Sequence, residues 1–325
     1  MPSPSLELVP CPVCGSVESR EVADAEEIRR EVEALWAFHT ARLRPGTPPE
    51  RLADRVAFSQ QPPVRVVECR GCGLVYRNPR ERAFELRDTY AGEEPDENAL
   101  EGLFRTQLGA YRAQAARLAA VSGKRSGSGL EVGSYVGGFL AAAAERGWRF
   151  EGLDINERAA AFARERGFTV AIGTLETFEP ARTFDAVAIW NCFDQLPDPR
   201  LAAARARALL TPGGMLAIRV PNGAFYAALR PALRGVLAPA ARALLAHNNL
   251  LTFPYRHGFT PSSLRRLLEA VELEVVSVHG DTLVPIADEW TRRWAALEER
   301  VVKRLLRGVG AERAPWIEMY ARRRE

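Results

Sequence analysis

The sequence predicts an α/β protein in which a doubly wound sheet follows a small cysteine-rich module. From residue 130 onward, apolar segments alternate with helical segments of about ten residues, the pattern of a parallel sheet with helices on both faces. A turn of small residues, LEVGSYVGGFL at 130–140, joins the first of these strands to a helix. Two Cys-x-x-Cys-Gly motifs precede this alternation, which indicates a separate N-terminal module.

Composition is that of a globular protein with a sizeable core. The 325 residues are 47% apolar and 26% charged, with a net charge of +3. No apolar run approaches the ~18 residues of a membrane span, and the N-terminus lacks the layout of a signal peptide. We therefore expect a cytoplasmic protein. Only Lys124 and Lys303 among the 44 basic residues are lysines, so the arginine content is a general bias and weak evidence for nucleic-acid binding.

The segments before residue 130 are predicted to form helices and loops. A charged helix is expected from Ala23 to about Leu43, followed by the loop RPGTPPE at 44–50 and a short helix before the Pro62-Pro63 break. Apolar residues at three- and four-residue spacing predict a further helix at 97–121. The stretch SGKRSGSG at 122–129 predicts a flexible boundary.

The segments from residue 130 onward follow in order. Asn156 and Asp198 are the expected N-caps of two helices between the strands, and Thr260 caps a later one. The predicted strands are 129–133, 148–155, 168–173, 184–190, 215–220, 272–280 and 315–323. The predicted helices are 137–147, 156–167, 198–214, 260–271 and 287–307.

The four paired cysteines have the spacing of a metal site. Cys11 and Cys14 form one knuckle, and Cys69 and Cys72 form the other, each followed by a glycine that permits a tight turn. Two such knuckles complete a tetrahedral four-sulfur site, for which structural zinc is the usual occupant. Iron in a rubredoxin-like setting, and redox thiols without metal, are the alternatives.

The turn at 130–140 has the position of a cofactor-binding loop. It lies between a strand and a helix and contains Gly133 and Gly137, while Asp154 ends the next strand, where an acid can accept hydrogen bonds from ribose hydroxyls. Glu131 within the turn would repel a pyrophosphate and suits a cationic or zwitterionic ligand. The alternative is a strand-turn-helix that binds nothing.

Five motifs in order over about residues 97–325 resemble the class I S-adenosylmethionine-dependent methyltransferases. They are LEVGSYVGG, the acid of LDI, IGTLE, FDAVAIWNCFDQLPDP and LLTPGGMLAIRVPN. The resemblance implies a seven-stranded Rossmann-like sheet whose last strands, 274–279 and 315–322, form an antiparallel hairpin. It also implies S-adenosylmethionine as the cofactor. The implied cofactor-binding residues are Glu131, Gly133, Ser134, Tyr135, Gly137, Asp154, Ile155, Thr174, Leu175 and Asn191.

The N-terminal module resembles the zinc ribbons that precede methyltransferase domains in several bacterial families. We therefore expect a zinc-ribbon-like module with a helical insert at 1–80, a helical linker at 81–127 and a methyltransferase domain at 128–325. Two further segments stand out within that domain, a substrate cover at about 223–258 and a helical insert at about 287–312. The apolar stripe of this last helix is expected to pack in the core, with a homodimer face as the alternative.

The chain departs from the family pattern at three places. Tyr135 stands where the middle glycine of the loop is usual, so its ring could attract the sulfonium by about 0.5–2 kcal/mol. Asp194-Gln195 stand where many relatives carry Glu-His, which weakens the transfer of a catalytic base. Cys192 lies near the position of the nucleophile in cytosine-5 methyltransferases, but the preceding proline is missing, so we expect it only to pack beside the cofactor.

The methyl acceptor is the least determined feature. His257 and Asp194 are the leading candidate general bases, with Tyr255 as the third. Aromatic residues and arginines between 223 and 250 suit an amphiphilic or anionic acceptor. The leading hypothesis is O-methylation of a small molecule such as a sugar, glycan or lipid precursor, or secondary metabolite. An RNA methyltransferase is disfavoured by seven acids against three arginines at 17–33, and a non-catalytic cofactor-binding scaffold is the third reading.

Overall fold

The structure, a computed structural model, describes residues 6–48, 63–82, 97–251 and 253–324. The chain divides into two compact units. The first comprises residues 1–82, 220–266 and 279–318, and the second comprises residues 83–219, 267–278 and 319–325. The short helix expected before Pro62 and the beginning of the expected linker lie outside the described residues. The predicted domain limits stay predictions, and the segment 220–266 groups with the N-terminal residues.

Thirteen strands occur in the described part of the chain. They are β1 Leu6–Glu7, β2 Ser19–Ala23, β3 Val66–Cys69, β4 Val75–Arg77, β5 Arg80–Glu81, β6 Gly127–Val132, β7 Trp148–Asp154, β8 Val170–Ile172, β9 Phe184–Trp190, β10 Leu210–Pro221, β11 His257–Gly258, β12 Leu273–Asp281 and β13 Trp316–Arg323.

Nine α-helices occur in the same described ranges. They are α1 Ala25–Arg42, α2 Glu97–Ser122, α3 Gly138–Ala144, α4 Glu157–Glu165, α5 Pro199–Ala208, α6 Gly223–Leu229, α7 Ala238–Ala246, α8 Pro261–Glu269 and α9 Arg293–Leu306. Of these helices, none combines the length and the apolar character that crossing a bilayer requires.

Seven strands form the main sheet, which confirms the predicted α/β fold. Their order is β12-β13-β10-β9-β6-β7-β8, and the pairs β10–β9, β9–β6, β6–β7 and β7–β8 are parallel. The two last strands are neighbours at one edge, as expected. The order reverses between β9 and β6, so this is the switch point where open α/β sheets bind ligands at the carboxyl ends of their strands.

The first unit has its own four-stranded sheet, in the order β11-β4-β3-β2. β2, β3 and β4 are antiparallel neighbours from the cysteine-rich segment. β11 joins them from the distant segment 220–266, pairing His257 with Tyr76 and Gly258 with Val75. The sequence pattern did not predict this strand, because two residues are too few for a period.

The predicted helix caps are confirmed. Asn156 accepts from the Ala159 N–H at 2.9 Å. Asp198 accepts from the backbone N–H groups of the first turn of α5, and Thr260 Oγ1 accepts from the Ser263 N–H at 3.1 Å. Each cap satisfies a donor that has no partner inside the helix.

Four sequence expectations are wrong. The expected flexible boundary is already strand β6 from Gly127, where a Cβ would lie 2.8 Å from Trp148. The helix expected to continue to residue 214 ends at Ala208, because the following residues extend β10. The last helix begins at Arg293 rather than near 287. Its apolar stripe is exposed rather than packed in the core.

Candidate functional site

The turn between β6 and α3 has a left-handed backbone at three positions. Gly133, Tyr135 and Gly137 have φ values of 75°, 46° and 79°. Glycine adopts this conformation without strain, whereas a residue with a Cβ does so at a cost of about 1 kcal/mol. Tyr135 therefore has a backbone conformation that a glycine at this position would adopt without strain.

Asp154 at the end of β7 holds this turn in place. Its Oδ2 accepts from the Tyr135 N–H at 2.7 Å, and its Oδ1 accepts from the Asn156 N–H at 2.8 Å. Burial raises the pKa of Asp154, and these backbone hydrogen bonds oppose that shift. Each carboxylate oxygen has a further lone pair, so Asp154 can also accept from hydroxyl groups of a ligand.

Glu131 lies beside Asp154 and is 1% exposed. Among the described residues, no donor reaches its buried Oε2 atom. Burial first, and then the charge of Asp154, raise the pKa of Glu131 well above its ordinary value. A buried carboxyl group with a free acceptor is costly unless a ligand satisfies it, and the ammonium group of S-adenosylmethionine has the matching chemistry. The residues present therefore fit this cofactor.

The ring of Tyr135 packs against a small apolar cluster. Its members are Leu100, Val136, Ala159 and Phe162, with Phe104 at the margin. The ring thereby ties the turn to α2 and α4. The attraction between this ring and a sulfonium stays a prediction.

Asn191 follows β9 and forms a network that the sequence did not predict. Its φ is 61°, its Nδ2 donates to Tyr111 Oη at 3.1 Å, and its Oδ1 accepts from Arg219 Nη1. Burial and the nearby charge of Glu131 raise the pKa of Tyr111. Arg219 is 2% exposed. The arginine in the apolar segment MLAIRV could have indicated this network from the sequence, because a buried guanidinium requires a hydrogen-bonding partner.

Cys192 and Asp194, which lie one and three residues after Asn191, differ in their chemistry. Cys192 Sγ packs so close to the turn that a Cβ on Gly133 would lie 2.9 Å from it. Burial raises the pKa of the Cys192 thiol well above its ordinary value, which suits packing and not nucleophilic attack. Asp194 is 2% exposed, and burial raises its pKa to about 8.

The remaining predicted cofactor residues lie on neighbouring turns. Ser134 is buried in the loop itself and faces Gly152 of β7, where a Cβ would approach its hydroxyl to 2.4 Å. Ile155 follows Asp154 directly. Thr174 and Leu175 follow β8, whose next residue, Gly173, donates its N–H to the Asp154 carbonyl at 2.9 Å. The structure thus brings all ten predicted cofactor residues to adjoining strand ends and turns.

The four predicted metal ligands lie together in the first unit. All four sulfur atoms are within 4.8 Å of one another, with 3.5 Å between Cys11 and Cys72 and 3.4 Å between Cys14 and Cys69. A tetrahedral zinc site with Zn–S bonds of ~2.3 Å requires sulfur atoms about 3.8 Å apart. All four are free thiols. The donor set therefore fits zinc, and it leaves no coordination position for a substrate.

The second knuckle contacts the segment that carries His257. Arg266 Nη1 on α8 donates to the Gly71 carbonyl at 2.9 Å, and β4, which begins three residues after Cys72, pairs with β11. His257 is 1% exposed and belongs to the first unit, whereas Asp194 belongs to the second. The two candidate bases are thus held by different parts of the chain.

The turn at the switch point, Asp154 at the end of the next strand and the buried Glu131 carboxyl are the arrangement expected of a Rossmann-like enzyme that binds S-adenosylmethionine. A family model described as a methyltransferase domain matches residues 104–278, just over half of the chain. The chain belongs to this methyltransferase family and is an S-adenosylmethionine-dependent methyltransferase. A comparison with curated proteins returns no match.

Solved structures with a similar fold include two bacterial methyltransferases. One, from Thermotoga maritima, is described as an S-adenosylmethionine-dependent methyltransferase and possible histamine N-methyltransferase. It is 18% identical, with 70% of this chain and 95% of that chain covered and a TM-score of 0.47. The other is the N-methyltransferase NodS from Bradyrhizobium japonicum with S-adenosyl-L-homocysteine. It is 18% identical, with 66% of this chain and 86% of that chain covered and a TM-score of 0.41.

Proposed function

We propose that the protein methylates an oxygen atom of a small-molecule acceptor such as a sugar, a glycan or lipid precursor, or a secondary metabolite. The observation that carries the cofactor part of the proposal is the buried Glu131 carboxyl, whose Oε2 has no donor within the described residues. S-adenosylmethionine supplies an activated methyl group on a positively charged sulfur. In-line transfer needs mainly positioning and the removal of a proton from the acceptor.

The cofactor would be held from two sides. Glu131 would accept from its ammonium group, and Asp154 would accept from its ribose hydroxyls while holding the Tyr135 N–H. The backbone around Gly133, Ser134 and Gly137 permits close approach. The remaining predicted contacts would come from Tyr135, Ile155, Thr174, Leu175 and Asn191.

Asp194 is the better supported of the two candidate bases. It lies two residues from Cys192, which packs on the cofactor turn, and its raised pKa of about 8 makes it a stronger base than an ordinary aspartate. No described residue forms a hydrogen bond with its buried Oδ1. His257 is the second candidate, because histidine is the side chain that most often serves as a general base.

Ion pairs make nucleic acid a poorer acceptor. Arg20 pairs with Glu68 at 2.6 Å, and Arg29 and Arg30 both pair with Glu26 on α1. These three arginines are therefore already matched by acids, and a phosphate backbone would have to compete with those acids. The proposed acceptor is consequently not RNA.

Two of the arginines expected to suit an anionic acceptor are also matched. Arg230 and Arg234 both pair with Glu27, and Arg230 also pairs with Glu31. They tie the segment 223–258 to α1. This favours a neutral or amphiphilic acceptor over a strongly anionic one.

We further propose that the four cysteines hold one structural zinc ion. The knuckle glycines Gly15 and Gly73 both have left-handed φ values, of 74° and 75°, which the tight turns require. The metal would fix β3, β4 and thereby β11. A cytoplasmic location stays a prediction, as does a homodimer.

Calorimetric titration with S-adenosylmethionine, followed by turnover on panels of hydroxyl acceptors, tests the proposal. Asp154→Ala should abolish micromolar binding. Asp194→Asn should retain binding and lose turnover, and His257→Gln is the matched variant for the other candidate. Binding with no turnover on any acceptor would favour a cofactor-binding scaffold. Full turnover in Asp194→Asn would remove that residue as the base.

A further inference from the structure

Helix α9 presents large apolar side chains to solvent. Trp294, Leu297, Val301 and Leu305 are 50%, 55%, 48% and 74% exposed. Their spacing of three, four and four residues places them in one line along the helix. We call these four residues the α9 stripe. A line of exposed apolar residues on one element marks an interaction surface more often than single exposed residues do.

The opposite side of α9 is held in place by buried polar contacts. The exposure of the α9 stripe therefore does not result from a poorly packed helix. Glu299 and Lys303 are each 2% exposed and form an ion pair. Glu299 also accepts from the Ile286 N–H at 2.7 Å and the Ala287 N–H at 2.9 Å. Lys303 donates to the Val284 carbonyl at 2.7 Å. A buried polar set of this kind fixes the rotation of the helix about its own axis.

Three arginines follow one side of the stripe. At about 100° per residue, Arg293, Arg300 and Arg304 lie within a narrow sector next to it, and all three are exposed. None of them forms an ion pair with a carboxylate of the described residues. Both acids of the helix are engaged, since Glu298 pairs with Arg42 at 2.8 Å and Glu299 pairs with Lys303. The face therefore carries unmatched positive charge.

We propose that the α9 stripe and its arginine row dock on the surface of an anionic lipid bilayer, with the helix lying parallel to that surface. Tryptophan and leucine beside arginine are the composition of helices that rest in the interface between headgroups and acyl chains. The arginines would reach anionic headgroups while the stripe enters the interface. A second copy of the chain fits poorly, because its own α9 offers no free carboxylate to these arginines.

Vesicle co-sedimentation of the full chain tests this docking. Binding to phosphatidylcholine vesicles containing phosphatidylglycerol should be about tenfold or more tighter than to phosphatidylcholine alone, and it should weaken with added salt. The double variants R300E/R304E and W294S/L297S should each lose most of this binding. The double variant R146E/R200E has the same charge change as the first, at exposed residues in the turn after α3 and on α5, and should bind like the wild type.

Circular dichroism should be unchanged in all three variants. The thermal midpoint should be unchanged in the two charge variants and lower in W294S/L297S, because Trp294 and Leu297 are half-buried and the Trp294 ring contacts Arg42. Equal binding by R300E/R304E and R146E/R200E would overturn the proposal, since net charge alone would then explain it. Three other results would also overturn it. One is no binding of wild type to anionic vesicles, and another is binding to polyglutamate instead. The third is a wild-type dimer that W294S/L297S abolishes, which would assign the face to a second copy.

Discussion

The Tyr135 N–H donates to Asp154 Oδ2 at 2.7 Å, and this bond joins the cofactor turn to the end of the next strand. Tyr135 has a left-handed backbone there, with a φ of 46°. The hydrogen bond and the packing of the ring offset the cost of that conformation. The tyrosine that stands in place of glycine is therefore stabilised in this turn by specific contacts. The Asp154 carboxylate that holds it is also the group proposed to accept from the ribose hydroxyls.

At position 135 glycine should destabilise the protein less than alanine does, which is the reverse of their usual order of stability. Both Y135A and Y135G lose the ring contacts with the cluster that includes Phe104 and Phe162. Glycine adopts the left-handed conformation without strain, so Y135G should be more stable than Y135A by about 1 kcal/mol. Urea unfolding of the two variants measures this difference. A more stable Y135A would show that the turn relaxes away from this conformation.

Replacing Glu131 by glutamine should separate stability from affinity. The variant removes an ionisable group whose burial raises its pKa, so the ligand-free protein should be at least as stable as the wild type. The loss of a charge-assisted hydrogen bond should weaken S-adenosylmethionine binding by roughly tenfold or more. Thermal unfolding and calorimetric titration give the two quantities. Unchanged affinity would show that Glu131 does not contact the cofactor.

Asp194 should make stability fall as pH rises. Burial raises its native pKa to about 8, whereas an unfolded aspartate titrates near ~3.9. Between these values the native state keeps a proton that the unfolded chain has lost. The free energy of unfolding therefore decreases with pH, by at most about 1.4 kcal/mol per unit from this group, and levels off above its native pKa.

The variant D194N isolates this contribution, because asparagine has nearly the same shape and does not titrate. The difference in unfolding free energy between D194N and the wild type should shift in favour of the variant from pH 5 to about 8. Urea unfolding at a series of pH values measures it. A difference independent of pH would show that Asp194 is not protonated in the native state at neutral pH.

Loss of the metal should loosen the segment that carries His257. We expect about one zinc ion per chain and its loss in C14S or after chelation. Because β4 follows the second knuckle and pairs with β11, amide exchange should then accelerate around Tyr76 and His257. Hydrogen exchange with mass spectrometry measures this, and the β7 peptide ending at Asp154 is the internal control. Unchanged exchange around His257 in the zinc-free protein would contradict the coupling.

Local patterns in the sequence were sufficient for much of the fold and for the position of the turn that we propose binds the cofactor. Apolar segments alternating with helices predicted the sheet, and Asn156, Asp198 and Thr260 were predicted as caps and found as caps, because capping depends on neighbouring residues. The two knuckles were predicted from spacing alone. Long-range pairings were not predictable in this way, and the strand formed by His257 and Gly258 is the clearest case.

By itself, the sequence determined the family, the turn between β6 and α3, the four cysteines and the existence of an apolar stripe on the last helix. The tertiary structure decided which partners each buried polar group contacts, for example that Arg219 donates to Asn191. It also decided which side of α9 is packed against the rest of the protein. A hydrophobic pattern shows which side of a helix is apolar, and that side was expected to be buried. Here the buried side carries the ion pair of Glu299 with Lys303, which is stable only because the surrounding backbone supplies its remaining hydrogen bonds. Those partners lie outside the helix, so its own sequence could not show which face would be left to solvent.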